Sequence, residues 1–377
     1  MVTQALINPA ILTWARERAG LSAFAFTQKM GLSKPEKLEL WESGVEKPTF
    51  KQAQKIAAIT HIPFGYLFLS VPPKDTLPIP DLRTIGNKHI EEPSLEMKDV
   101  IKQVLIKQEW FKDYLISQNE EPLSFIGSYS IQDSVEDVAN DIRETIKVPI
   151  PTKGDWESYM RDIIRGAETA RILVMRAGIV GNNTHRKLQV SEFRGFAISD
   201  KLAPVIFINS SDAPTARLFT LVHELAHLWI GESGISNVES HGSKQEVFCN
   251  AVAGEFLVPK ATFFALWDEE NSLMTNLANI SYRLHVSKLV VARKAYDLGV
   301  ISKDDYWNFY NNELEAFREK DGGSGNFNIN AAAKNSRLFS HAVLSEALSG
   351  RMLLRDAGSL LGIKPNKLKN YASAILL

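Results

Sequence analysis

The chain contains one cysteine, Cys249, among 377 residues, so no internal disulfide can form. That scarcity fits a reducing compartment. No stretch approaches the run of about eighteen apolar residues that a membrane-spanning helix needs. The first residues lack a charged region followed by an apolar run and a cleavage site, so no signal peptide is expected. The expected address is the cytoplasm, with no membrane partner. A strong charge of either sign is also missing, because the formal net charge is −1. This excludes a general pull of the whole chain toward nucleic acid.

The distribution of charge says more than its sum. Residues 1–75 carry nine Lys/Arg against six Asp/Glu, and residues 331–377 carry seven against two. The stretch between them holds 27 basic and 36 acidic residues. Basic ends on an acidic body leave room for nucleic-acid contact at either terminus. Apolar residues make up 45% and charged residues 23%, which suits a soluble chain of two or three domains.

Turn and proline signals divide the chain. Residues 1–70 read as short helices punctuated by Gly20-Leu-Ser, Gly31-Leu-Ser, Gly44 and Pro48-Thr. Residues 71–94, with four prolines in VPPKDTLPIP, read as a stiff linker. Residues 95–150 read as a helical connector with periodic segments at 95–118 and 132–146. Residues 151–320 form a further domain. Within it ARILVMRAGIV (170–180), RGFAIS (194–199) and APVIFINS (203–210) are Ile- and Val-rich runs bounded by turn residues, and are expected to be strands. Helices are expected after Asp212-Ala-Pro, over 243–257 and over 272–318. DGGSGNFN places a flexible loop at 321–330, and 331–377 reads as a helical C-terminal segment. The fold class is therefore α+β with all-α material at both ends.

The chemistry concentrates in FTLVHELAHLW. His223 and His227 are four apart, so on a helix they stack on one face and can point at a single ion. Zinc accepts imidazole nitrogen, and catalytic zinc sites keep one position open for water. Glu224 lies about 100° further round the helix, where it can reach that water as a general base. Leu218, Val222, Leu225 and Trp229 form the apolar stripe that would bury the helix. The bland alternative is a pair of satisfied core histidines.

A third ligand must come from elsewhere. SKQEVFCNAVAGEFLVP (243–259) offers Glu246 and Glu255, which lie about 180° apart on a straight helix and cannot share a face. Glu246 sits in the first helical turn, where the helix dipole favours a carboxylate, and is the preferred ligand. Glu255 is expected to be structural. Glu239 and His241 on the intervening loop are alternatives, and a solvated Glu246 is the bland reading. Cys249 is expected to be a small core residue.

HELAHLWIGESG followed by EVFCNAVAGEFLVP resembles the ImmA/IrrE family of metallo-endopeptidases. ILTWARERAGLS, LELWESGVEKPTF and the FLSVPP linker resemble the N-terminal part of those members that carry an Xre-type helix-turn-helix in front. The resemblance implies a zincin-like fold, with the HExxH helix on a small sheet. It implies Zn2+ held by His223, His227 and Glu246, with Glu224 as the base. It also implies cleavage of a repressor or antitoxin, so that a stress-response, mobile-element or toxin-antitoxin switch is thrown. An oxyanion donor is expected, and His241, Tyr282 and His285 are candidates.

The N-terminal module can be read in two ways. Its second helix, SKPEKLELWE, carries Glu36, Glu39 and Glu42 against Lys34 and Lys37. Carboxylates near phosphates repel them, although Lys47, Lys51 and Lys55 could contact backbone. The module could bind DNA, grip a protein, or pair two copies into a homodimer. GLSKPEKLELW (31–41) also has a faint echo in GIKPNKLKNYA (362–372), and a looser one in RLHVSKLVVARK (283–294). The basic C-terminal segment with Arg351, Arg355, Lys364, Lys367 and Lys369 could bind phosphate or be a solvated face. The competing function is a transcriptional regulator or antitoxin-like protein with a structural or vestigial zinc site.

Overall fold

The computed structural model describes residues 3–73, 93–236, 243–318 and 333–375, with only backbone described at 235–236 and 314–318. The chain forms two compact units, Met1–Pro78 and Ile79–Leu377. Most of the proline-rich stretch, the 321–330 loop, Glu239 and His241 lie outside the described residues.

The first unit holds helices α1 (Pro9–Arg18), α2 (Ala23–Met30), α3 (Glu36–Glu42) and α4 (Phe50–Thr60), then a 3-10 turn at Phe64–Phe68. Asn8, Ser22 and Thr49 cap α1, α2 and α4 with their side-chain oxygens. Each satisfies an N–H that the helix itself leaves open. Ile11, Leu12, Phe26, Leu38, Trp41 and Ile56 form the core.

In the second unit, α5 (Leu95–Ser117), α6 (Val135–Ile146) and α7 (Trp156–Thr169) precede β1 (Leu173–Ala177), β2 (Gly195–Ile198) and β3 (Val205–Asn209). Then come α8 (Pro214–Trp229), β4 (Gly234–Ser236), α9 (Lys244–Leu257), α10 (Lys260–Leu266), α11 (Leu273–Leu284), α12 (Lys288–Asp297) and α13 (Lys303–Arg318). Helices α14 (Arg337–Leu348), α15 (Leu354–Leu361) and α16 (Leu368–Ile375) follow. The sheet order is β1-β3-β2-β4; β1 and β3 are parallel, and the other pairs are antiparallel. The architecture is mixed α+β.

The three expected strands are present, but β4 was not anticipated from its short GIS sequence. The single helical stretch read at 272–318 is three helices. His285 and Gly299 break it, both with positive φ, and a histidine there carries no obvious stop signal. One face of the sheet, through Val174, Ala197, Ile206 and Ile208, joins the core built by α8 and α9. Phe196 and Phe207 stack at 5.0 Å on the other face, as strand alternation requires.

A buried polar network ties α5 to the C-terminal helices. Lys107 Nζ donates to Asn335 Oδ1 at 2.7 Å, and Asn335 Nδ2 donates to the Leu361 carbonyl at 2.8 Å. Burial, followed by the charge of Lys334, lowers the Lys107 ammonium to about 7. The unfolded chain therefore holds a proton on Lys107 that the folded chain releases between about pH 7 and 10.5, so folding gains stability as pH rises through that window. Lys107→Met should accordingly gain stability relative to wild type at pH 6 compared with pH 9, by on the order of 2 kcal/mol. Urea unfolding of both proteins at the two pH values measures it.

Candidate metal centre

Helix α8 starts at Pro214, where a missing N–H costs nothing. All residues from Thr220 to Trp229 are buried. Its C-terminal end is anchored from the side: Trp229 Nε1 donates to Asp141 Oδ2 at 2.6 Å, and Phe125 stacks on the indole at 4.6 Å. This fixes the roll of the helix, and with it the direction of the two histidines.

Helix α9 brings the carboxylate. Ser243 caps it by accepting from Glu246 N at 3.1 Å. A serine three residues before a glutamate is the capping-box pattern, in which the carboxylate turns back to the cap. Here the Glu246 carboxylate goes to the histidines instead: Oε2 lies 3.2 Å from His223 Nε2, and Oε1 lies 3.2 Å from His227 Nε2. The far end of α9 is held by Arg143, whose guanidinium lies 4.2 Å over the Phe256 ring and donates to the Phe256 carbonyl.

The two Nε2 atoms are 3.1 Å apart. His223, His227 and Glu246 are thus a buried triangle of donor atoms that could hold a metal ion. Ligands at 2.0–2.1 Å around a tetrahedral ion are about 3.3 Å from one another, close to the edges seen here. Two imidazoles and one carboxylate suit zinc, whereas calcium takes six or more oxygens. Neither Nδ1 has a hydrogen-bond partner among the described residues. Burial opposes ionisation of Glu246, but hydrogen bonds from both histidines outweigh it and hold the carboxyl down to about 2.

Glu224 is fully buried one position beyond His223. Its Oε1 would lie 2.8 Å from a Cβ placed on Gly195 of β2, and Thr220 Cγ2 would lie 2.7 Å from it. Glycine at 195 therefore allows the helix and its carboxylate to sit against the sheet. Phe219, one turn before His223 on the same face, packs its ring on that imidazole with centroids 6.4 Å apart. Sequence reading missed Gly195, whose role depends on contacts across the fold, and Asp141. It also missed Phe219, which the four-residue spacing to His223 could have disclosed.

Among the described residues, the other candidates stand outside this three-residue ligand group. Glu255 is buried, accepts from Lys260 N at 2.9 Å and ion-pairs with half-buried Lys294, which makes it structural. Cys249 is buried, and burial, then Glu246, Glu224 and Glu232, push its thiol far up. It is a core residue and not a nucleophile. Tyr282 is 81% exposed, and His285 caps α11 in the left-handed conformation. Neither belongs to the cluster.

Residues 167–296 match the family model of the IrrE N-terminal-like domain. The matched stretch spans the positions of His223, Glu224, His227 and Glu246, and peptidases of this family depend on a metal. The match supports an ImmA/IrrE-type metallopeptidase domain at the centre of the chain. Residues 335–374 match a second model, a domain of unknown function. No curated protein and no solved structure matches the chain.

Proposed function

We propose that the chain is a zinc-dependent endopeptidase that cleaves a regulatory protein, a repressor or an antitoxin. The triangle of His223, His227 and Glu246, with a buried carboxylate next to its first corner, carries the reading. A purely structural metal site has no use for a base beside a ligand, which favours the peptidase over a regulator with a vestigial site. When bound, the ion supplies Lewis acidity at the scissile carbonyl and makes water easier to deprotonate. Glu224 takes the proton from the attacking water and delivers it to the leaving nitrogen. Asp141, Trp229 and Ser243 keep the two helices in register so that the donors converge.

The first unit is read as an Xre-type helix-turn-helix used for protein recognition. Helix α2 ends at Gly31 with φ 66°, and α3 follows with Leu38 and Trp41 buried. Its outward face presents exposed Glu36 and Glu39, while Glu42 is taken up by Arg16 at 2.7 Å. Phe50, Phe64 and Phe68 form a continuous ring cluster in which Phe50 and Phe68 are exposed. Acidic and aromatic surface suits a protein substrate better than a phosphate backbone.

Metal content tests the centre. Mass spectrometry of the purified chain should find about one zinc per molecule, sharply reduced in both His227→Ala and Glu246→Ala. Zinc retained in Glu246→Ala would remove that residue from the ligand set. A wild-type chain that takes up no zinc on reconstitution would overturn the peptidase reading.

A further inference from the structure

The repeated Gly-apolar motif has a structural counterpart that the metal centre does not use. Helix α2 buries Phe26, Thr27 and Met30 and ends at Gly31 with φ 66° and ψ 38°. Helix α15 buries Ala357, Gly358 and Leu361 and ends at Gly362 with φ 67° and ψ 30°. The buried positions stand at the same three offsets from the left-handed glycine. In both, the next residue closes the turn through its backbone: Leu32 N donates to the Thr27 carbonyl at 3.0 Å, and Ile363 N donates to the Gly358 carbonyl at 2.9 Å. The second helix then buries Leu38 and Trp41 in one case, and Leu368 and Tyr371 in the other. The C-terminal turn is one residue shorter. Each pair follows a longer helix, α1 or α14, so each is a three-helix unit. A bihelical turn of this kind, with glycine at the bend, is the frame of a helix-turn-helix.

The third echo is already used. Helices α11 and α12 bend at His285, φ 56°, but Val291, Ala292 and Ala295 are in the peptidase core and Lys294 pairs with Glu255.

What separates the two terminal pairs is their outward chemistry. The N-terminal second helix exposes carboxylates. From Gly362 to Ile375 there is no Asp or Glu, and Lys364, Asn366, Lys367, Lys369, Asn370 and Ser373 are all exposed. Among the described residues none of those three lysines is in an ion pair. The nearby Arg351 and Arg355 are paired with Glu346 at 2.7 Å and Asp356 at 3.2 Å. Lysines at the start of such a helix reach phosphates, and asparagine can pair bidentately with an adenine edge in the major groove. The unit is also firmly mounted, since Asn182 Nδ2 donates to the Gly362 carbonyl at 2.9 Å and Arg337 N donates to Glu168 Oε1 at 2.8 Å.

We propose that residues 337–375 are a second helix-turn-helix and that its partner is duplex DNA, with α16 entering the major groove. This does not depend on the metal centre. It assigns nucleic-acid contact to the C-terminal end of the chain and leaves the N-terminal module, whose second helix exposes Glu36 and Glu39, for protein.

The test uses the full chain and a fluorescein-labelled duplex of mixed sequence about two helical turns long, with anisotropy read from about 50 to 200 mM salt. Wild type should bind with an affinity that falls steeply with salt. The triple variant Lys364→Ala/Lys367→Ala/Lys369→Ala should bind roughly tenfold or more weakly, with a salt slope smaller by about 3. Lys34→Ala/Lys37→Ala should stay within about twofold of wild type. Lys34, Lys364, Lys367 and Lys369 are exposed and Lys37 is half-buried over the Trp41 ring, and circular dichroism with zinc content verifies the fold. Absence of wild-type binding at the lowest salt would overturn the proposal. So would a triple variant that binds as wild type does, or loss of binding confined to the Lys34/Lys37 variant.

Discussion

Glu224→Gln should lower peptide-bond cleavage by about 10²–10⁴-fold, the usual contribution of a positioned general base. The replacement keeps the shape of a side chain that is fully buried and removes its ability to take a proton at neutral pH. A neutral amide is also cheaper to bury than a carboxylate, so thermal stability should be equal or higher. Zinc content should be unchanged, because the donor triangle comes from His223, His227 and Glu246. The three readouts together separate a lost base from a lost metal or a lost fold. Cleavage is read as new protein N termini that appear in cells expressing wild type and are missing with the variant. Wild-type cleavage by Glu224→Gln would remove Glu224 from the base role.

The centre was legible because its chemistry is written in local spacing. Two histidines four apart declare a shared helix face, and the choice of Glu246 over Glu255 followed from helical geometry and the first-turn position. The structure places Glu246 Oε1 and Oε2 each 3.2 Å from a histidine nitrogen, while Glu255 is held by Lys260 N and Lys294. Less visible were features set by distant pairs. Asp141 meets Trp229 across 88 positions, and no period or motif announces it. The break at His285 was hidden because a left-handed helix end usually shows itself as glycine or asparagine. The C-terminal lysines read more readily as a solvated face in the sequence, and the contrary reading rests on α15, Gly362 and α16, which repeat the backbone geometry of α2, Gly31 and α3.

Gly195→Ala should damage the enzyme more than a single added methyl suggests. The new Cβ would lie 2.7 Å from Thr220 Cγ2, 2.8 Å from Glu224 Oε1 and 2.9 Å from the Phe207 carbonyl oxygen. Real carbon contacts do not come that close, and one of the three neighbours is backbone of the adjacent strand β3. Antiparallel pairing of Gly195 with Ile208 on that strand blocks retreat in the sheet. Helix α8 must then shift outward at Thr220 and Glu224, or the Glu224 side chain must turn. Overpacking of this kind costs about 1–3 kcal/mol, visible as a lowered melting temperature. A displacement on the order of 1 Å at a catalytic group can cost about 10²-fold in rate, so activity should fall further than stability. His223 and His227 lie on the helix face turned toward Glu246, so zinc should be largely kept. Melting temperature, zinc content and cleavage measured on the same preparation distinguish this from general unfolding. A Gly195→Ala enzyme that retains zinc, stability and full activity would show that the sheet does not position Glu224.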